Sequence, residues 1–296
     1  MKSNKLVKFF MPALAALVMI GCEKQDPLSV TEDNMATEDA AESIASAIGA
    51  ENGGAVDQLG DVAELASITG IQGQASYLLG KYSEANALAK IDTSYDPATG
   101  TWTLKLNRER GDKNGVPYAQ ISRTYTYQFL NATGQPQKYW KVGADTARTI
   151  KFNIVEGTGT HRTQHLSQQL TGLSGNFTAT DVQTRLITIN GNYQRSAVDT
   201  ITTREAVRTL DHTLKLTLTE VKVPRGGRGE LHRKLSGTIS GTYTAKVTFQ
   251  RGESYSEKNI NRTFTIALGD GDAHIDIRGR KFKGVLLLGE LLRLGR

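Results

Sequence analysis

Two histidines, His161 and His165, have a spacing that could serve metal chemistry. The H-x-x-x-H pattern binds zinc when both residues lie on one face of a helix, where side chains four positions apart are ~5–6 Å from each other. The flanking sequences GTGT and LSQ instead predict strand and turn, and on a strand the two rings would be ~13 Å apart. No glutamate follows His161, as a zinc protease of this pattern requires. We therefore predict no metal site and no cofactor, and the pair His161 and His165 remains the candidate if a metal binds.

Basic residues after Pro224 form a second candidate site. The sequence RGGRG contains three glycines, so we expect a flexible loop there. Its cations could bind an anionic group such as a phosphate, or the loop could be solvated, with its charge serving solubility. The candidate residues of this anionic-ligand loop are Arg225, Arg228, His232, Arg233 and Lys234.

The motifs of common catalytic sites are missing from the sequence. It contains no nucleophile elbow, no phosphate-binding loop and no dinucleotide fingerprint. The acidic segment 270–276 lacks the glycine and the glutamate of a calcium loop, so it predicts a hairpin turn. Carboxylates are sparse over residues 91–296, and no pair has the features of a general acid and base. We therefore predict no catalytic residues, although residues converging from distant strands would leave no such pattern.

The N-terminal sequence predicts an exported protein. Three lysines precede an apolar run, 9–20, that is too short to span a bilayer and is typical of a signal peptide. The run ends in Gly21 and Cys22, the only cysteine of the chain, and this ending resembles the lipobox of bacterial lipoproteins. The resemblance implies that Cys22 is lipidated and becomes the N-terminus. Because Glu23 and not an aspartate follows, it also implies the outer membrane, on its periplasmic face or at the cell surface.

The resemblance also implies the partners. The protein would contact the membrane through the lipid anchor at Cys22, and two or three acyl chains anchor a protein firmly. Lipopolysaccharide, another anionic glycan or another envelope protein could then meet the basic loop. Nucleic acid is not an expected partner outside the cytoplasm.

Charge divides the chain into two parts. Residues 22–80 carry eleven acids against one lysine, a net charge of −10, whereas residues 81–296 carry +13 once the three signal lysines are set aside from the total of +6. We predict a signal peptide over 1–21, a disordered acidic tether over 22–37, short helices over 38–90 and a β body over 91–296. The acidic helices should dock on a basic face of the body through an apolar stripe. This stripe comprises Val56, Leu59 and Leu65.

Alternation of apolar and polar residues predicts the body. Trp102, Leu104 and Leu106 share one phase, and a longer run over 231–249 keeps its apolar residues at odd positions. Such alternation indicates strands with one buried and one wet face, which is typical of antiparallel sheets. The sequence therefore predicts a mainly β fold of about ten strands with a small α-helical N-terminal segment. An extended sheet, a sandwich and a barrel-like body all remain open.

Three functions fit these features. The first is a non-catalytic binding or scaffolding module of the cell envelope, and the second is a lipid or lipoprotein carrier with an apolar groove in a curved sheet. The third is an enzyme acting on envelope glycans. A carrier needs an apolar inner face open to solvent, whereas a scaffold needs that face closed by the helices.

Overall fold

The fold places two helices before a long series of strands. The computed structural model describes residues 27–66, 88–164, 166–202, 206–225 and 231–292. In those ranges, no helix combines the length and the apolar character needed to cross a membrane. The helices are α1 (Pro27–Ile48), α2 (Ala55–Leu65) and a single turn, α3 (Leu231–Lys234).

The strands account for most of the described chain, and the long ones alternate buried and exposed residues. In chain order they are β1 (Leu88–Asp96), β2 (Thr101–Gly111), β3 (Tyr118–Leu130), β4 (Pro136–Gln137), β5 (Lys141–Val142), β6 (Asp145–Thr146), β7 (Thr149–Arg162), β8 (Leu166–Thr180), β9 (Leu186–Thr202), β10 (Val207–Pro224), β11 (Ser236–Arg251), β12 (Ser254–Gly269), β13 (Asp272–Ile277), β14 (Arg280–Val285) and β15 (Glu290–Leu291).

Thirteen of these strands form one antiparallel sheet. Its order is β1-β2-β3-β7-β8-β9-β10-β11-β12-β13-β14-β15, with β4 paired to the end of β3, while β5 and β6 form a separate ribbon. Within the described ranges no pairing joins β1 to β15, so the sheet does not close into a barrel. The predicted mainly β fold with an antiparallel sheet and N-terminal helices is confirmed. Of the three shapes left open, the structure has one large antiparallel sheet that is not closed into a barrel.

Short turns connect the long strands. Asp270 and Gly271 both have positive φ, 53° and 86°, in the turn between β12 and β13, so the predicted hairpin at 270–276 is confirmed. This conformation is typical of two-residue hairpin turns. Asn190 and Gly191 form no turn between strands, because they lie inside β9. Opposite them, the pairing of β9 with β10 is interrupted by a bulge of β10 at Glu220.

The sheet curls strongly. Ten strand intervals separate β2 from β15, which would place them ~48 Å apart in a flat sheet. Yet Glu51 reaches both ends: its N–H donates to the carbonyl oxygen of Leu287 at 3.0 Å, and its carboxylate lies 3.6 Å from Nη1 of Arg110 on β2. The two ends of the sheet therefore approach each other and leave an open seam between them.

The two helices fill the concave face of this curled sheet. Every residue of α2 is buried, and α1 is mostly buried from Ala36 onward. The predicted stripe of Val56, Leu59 and Leu65 belongs to the same apolar core as the inward side chains of the strands. Because the inner face is covered by helices, it is not open to solvent as a carrier groove would be.

Buried and half-buried ion pairs join the acidic helices to basic strand residues. These pairs confirm the predicted docking of acidic helices on a basic face, and burial makes each pair sensitive to the loss of one partner. They are Asp33 with Arg262 at 2.6 Å, Asp39 with Arg208 at 2.6 Å and Asp57 with Arg108 at 2.9 Å.

Three local predictions differ from the structure. α1 begins at Pro27, so the predicted disordered tether over 22–37 is wrong from residue 27 onward, because the helix gains packing against the sheet that its polar sequence does not reveal. The run 231–249 is not one strand: its first residues form α3, and β11 starts at Ser236. Of the segment predicted as helices over 38–90, residues 67–87 lie outside the described chain.

Candidate functional site

The seam between the ends of the sheet contains a cleft of about 610 Å³, which we call the seam cleft. Its lining is mostly apolar and comes from four segments far apart in sequence. These are the β2–β3 hairpin, the β7–β8 turn, the α1–α2 region and the segment around β15. Representative lining residues are Pro117, Ala119, Gln164, Glu51, Leu288 and Leu291.

His161, at the end of β7, provides a buried polar group in the seam cleft. Its side chain is 8% exposed, and Nδ1 has no hydrogen-bond partner among the described residues. Burial, together with the nearby charge of Arg195, lowers the pKa of His161 to about 4, although the carboxylate of Asp199 acts in the opposite direction. The imidazole is therefore neutral at pH 7, and its Nδ1 can form one hydrogen bond with a bound molecule.

The charged residues of the seam cleft are mainly acidic. Glu42, Glu51 and Glu290 lie in its lining together with one cation, Arg110. Since Arg110 lies 3.6 Å from the Glu51 carboxylate, its charge is partly balanced. The mostly apolar lining and the neutral His161 suit an apolar molecule with an uncharged polar end.

Behind His161 lies a buried polar network that joins α1 to three strands. Gln168 on β8 is the cross-strand neighbour of His161 and donates to Oδ1 of Asp199 at 2.7 Å. The other carboxylate oxygen of Asp199 accepts a hydrogen bond from Oγ of Ser43 on α1 at 2.5 Å and lies 3.1 Å from Nε2 of His212. Arg195 on β9 also donates to Gln168.

Asp199 is ionised in this network. Burial raises the pKa of its carboxyl group, but the charge and hydrogen bond of His212, with the donors Ser43 and Gln168, outweigh burial and hold the pKa below its ordinary value. Asp199 thus provides the acceptor for buried polar groups of α1 and β8 and lies against a buried histidine of β10.

The order of groups in this network differs from that of a hydrolase triad. In a triad the histidine contacts the serine hydroxyl and the carboxylate orients the histidine. Here the serine and the histidine both contact the carboxylate, and both are buried in the interior. The arrangement holds α1 on the sheet and does not activate Ser43 as a nucleophile.

Of the two candidate metal ligands, the structure describes only His161. His161 is the penultimate residue of β7, not part of a helix, and His165 lies outside the described residues. In the described part of the chain, no three histidine, cysteine or acidic residues are grouped closely enough to hold a metal ion.

The predicted anionic-ligand loop lies between β10 and β11. Arg225 follows β10, and its guanidinium donates to the carbonyl oxygen of Gln183 in the β8–β9 turn at 2.8 Å. His232 and Lys234 lie on α3, so this part is helical and not the predicted flexible loop. Arg228 and the side chain of Arg233 are outside the described residues, as is Cys22.

The seam cleft itself was not predicted from sequence. Its lining residues belong to segments up to about 250 positions apart, so no local motif marks them. The buried network, in contrast, could have been recognised in the sequence. Arg195 and Asp199 alternate along β9 in the same phase as the buried residues Tyr193 and Ala197. Charged residues in the inward phase of an alternating strand indicate buried polar groups.

Comparison with protein-family models, with curated proteins and with solved structures finds no significant match. The geometry and chemistry of the seam cleft are therefore the basis for a functional assignment.

Proposed function

We propose that this protein is a lipid-anchored, non-catalytic binding protein of the cell envelope, attached at Cys22 to the outer membrane, which holds its ligand in the seam cleft. The seam cleft is the main support for a binding function. Its volume of about 610 Å³ falls in the range of small-molecule sites, ~300–1,000 Å³, and like them it is mostly apolar with few polar groups.

The chemistry of the cleft favours an apolar ligand with an uncharged polar end. An alkyl or acyl chain would contact Pro117, Ala119 and Leu291. A hydroxyl or ester group at its polar end would form a hydrogen bond with neutral His161. The acidic lining disfavours fatty acids and phosphates at the same position. Anionic glycans and lipopolysaccharide remain proposed partners of the basic residues near α3 only.

A lipid carrier with a large apolar groove is less well supported. A carrier needs its concave face free for cargo, whereas α1 and α2 cover that face here. A ligand is thus limited to the volume of the seam cleft. This limit favours a binding or scaffolding module that recognises one small apolar molecule.

Filling the seam cleft should abolish ligand binding. In Ala119→Trp the indole would occupy the volume of an alkyl ligand, so we expect at least a tenfold loss of binding, about 1.4 kcal/mol. The measurement is photo-crosslinking of the full lipidated protein, in nanodiscs, with a diazirine-bearing fatty alcohol, followed by mapping of the labelled peptides.

The matched control is Ala132→Trp, because Ala132 is exposed in the turn after β3. This variant should retain crosslinks to the β2–β3 hairpin and to the segment around Leu288. Equal labelling of the two variants, with melting temperatures like that of the wild type, would rule out the seam cleft as the ligand site.

The anchor is tested separately by Cys22→Ser. The variant lacks the thiol that forms a thioether with diacylglycerol, so it should incorporate no labelled fatty acid and should leave the outer-membrane fraction. Metabolic labelling with a radioactive fatty acid, followed by membrane fractionation, gives the result. A variant that stays in the membrane fraction to the same extent as the wild type would contradict the lipoprotein assignment.

A further inference from the structure

Two arginines in the interior pair with no carboxylate. Arg123 on β3 and Arg195 on β9 are each 2% exposed, and an arginine side chain keeps its positive charge even when it is buried. Within the described part of the chain neither guanidinium forms an ion pair, not even with the buried acids of α2, Asp57, Asp61 and Glu64. Two positive charges are thus buried without direct contact to a negative one.

The hydrogen-bond partners of these two arginines are uncharged. Arg123 donates to three backbone carbonyl oxygens, those of Ser122 at 2.8 Å, Thr158 at 2.6 Å and Gly53 at 3.3 Å. Arg195 donates to the side-chain oxygen of Gln168. Carbonyl oxygens replace some of the water that a guanidinium loses on burial, but they do not neutralise its charge.

The two side chains extend towards each other over the strands that separate them. Arg123 reaches over β7, since a Cβ atom at its cross-strand neighbour Gly157 would lie 2.8 Å from Cδ of Arg123. Arg195 reaches over β8, where it meets Gln168. Because β7 and β8 are adjacent, ~4.8 Å apart, the two guanidiniums share one region of the interior. Accordingly, burial lowers the pKa of Arg123 and the charge of Arg195 lowers it further, against the opposing charge of Asp57.

Four polar atoms in this region have no hydrogen-bond partner among the described residues. They are Nε of Arg123, Nε and Nη1 of Arg195, and Oη of Tyr193. Tyr193 is 1% exposed and lies two residues before Arg195, on the same inward face of β9. All four atoms can donate a hydrogen bond, so they suit an acceptor. A buried water molecule could accept some of these bonds, but it would bring no negative charge.

We propose that a small monovalent anion, chloride or another halide, binds between Arg123 and Arg195 in the interior of the fold. The small size follows from burial, because neither arginine lines the seam cleft and both are almost wholly enclosed. The ion accepts hydrogen bonds from the unpartnered donors and offsets the two buried charges. It therefore stabilises the folded state, and it depends neither on the seam cleft nor on the lipid anchor.

Thermal unfolding of the full protein in detergent tests this anion site. Chloride replaces gluconate at constant ionic strength, so that general screening of charge stays the same throughout the titration. An ion that binds only the folded state raises the melting temperature as its concentration increases. Between ~1 mM and ~200 mM chloride we expect the melting temperature of the wild type to rise by ~3 °C or more.

Two variants locate the effect of chloride. Arg195→Met removes one charge and two of the unpartnered donors, so it should abolish the dependence on chloride. Tyr193→Phe removes only a hydroxyl group and should weaken the dependence severalfold, which keeps the test decisive if Arg195→Met does not fold. The matched control is Tyr255→Phe, because Tyr255 is 64% exposed. This control should respond to chloride as the wild type does.

Three results would overturn the proposed anion site. The first is a wild-type melting temperature that does not change with chloride. The second is a rise that persists undiminished in Arg195→Met and Tyr193→Phe, which would indicate an adventitious ion only, bound elsewhere. The third comes from crystals grown in bromide, which takes the place of chloride and scatters anomalously. A bromide peak between the two guanidiniums supports the site, whereas peaks confined to the surface contradict it.

Discussion

Replacing Arg108 with methionine should lower the free energy of unfolding by about 3–5 kcal/mol. Arg108 on β2 is 8% exposed and binds Asp57 of α2 with two hydrogen bonds, Nη1 to Oδ1 at 3.2 Å and Nη2 to Oδ2 at 2.9 Å. Its Nη2 also lies 3.5 Å from Asp61. The substitution leaves both carboxylates in the interior without this guanidinium, and the cost is that of buried charge lacking its counter-ion.

Urea-induced unfolding of the detergent-solubilised protein at pH 7 measures this effect. The control is Arg110→Met, two residues along the same strand, where the side chain is 52% exposed and its pair with Glu51 is exposed as well. An exposed pair contributes only ~0–1 kcal/mol. Similar losses in the two variants would show that burial of the Arg108 pair does not hold α2 on the sheet.

Replacement of all three charged residues of the cluster by uncharged ones should recover most of the lost stability. In Arg108→Met combined with Asp57→Leu and Asp61→Asn, the uncompensated charges are gone. The amide oxygen introduced at position 61 could still accept the hydrogen bond that Tyr125 donates to Asp61 at 3.0 Å. Buried ion pairs replaced by apolar residues of similar volume are often neutral in stability. The triple variant is therefore expected to be more stable than Arg108→Met alone.

Removing the Asp199 carboxylate should lower the free energy of unfolding by a similar amount, about 3–5 kcal/mol. In Asp199→Ala, Ser43 and Gln168 lose their acceptor and the buried His212 loses the anion 3.1 Å away. Unsatisfied buried donors cost ~1–3 kcal/mol each, although such costs are not additive. Since Ser43 belongs to α1, the variant should also loosen this helix from the sheet.

Hydrogen exchange and urea-induced unfolding together test this prediction. Amides of α1 should exchange faster in Asp199→Ala than in the wild type, in addition to the loss of global stability. The control is Asp211→Ala, because Asp211 is an exposed residue of the neighbouring strand β10. Unchanged protection of α1 would mean that the Asp199 network does not fix the helix.

Much of the sheet could be predicted from the sequence. The alternation of Trp102, Leu104 and Leu106 appears as buried positions of β2, and the turn residues at 270–271 form the predicted hairpin. The charge difference between the two parts of the chain predicted that acidic helices dock on basic strands. These features are local or additive, so they do not depend on the curvature of the sheet.

The start of α1 was harder to predict. Residues 27–37 are polar and acidic, which is typical of a disordered tether when the segment stands alone. In the structure, Asp33 pairs with Arg262 and Lys258, and Thr37 is buried, so partners more than 200 residues away support the helix. Helical stability in proteins comes mostly from such tertiary packing, and the sequence of the segment does not contain it.

The sequence by itself determined the strands, their antiparallel pairing, the helices as acidic partners of the sheet and, through resemblance, the proposal of a lipid at Cys22. The side-chain period of a strand is set by its own backbone, so one stretch of sequence is enough to reveal it. Only the tertiary structure decided that the sheet stays open, that its ends meet near Glu51 and that His161 lies in a cleft there. The reason is physical: twist accumulates over many strands, and the gap that remains depends on the volume that the two helices fill.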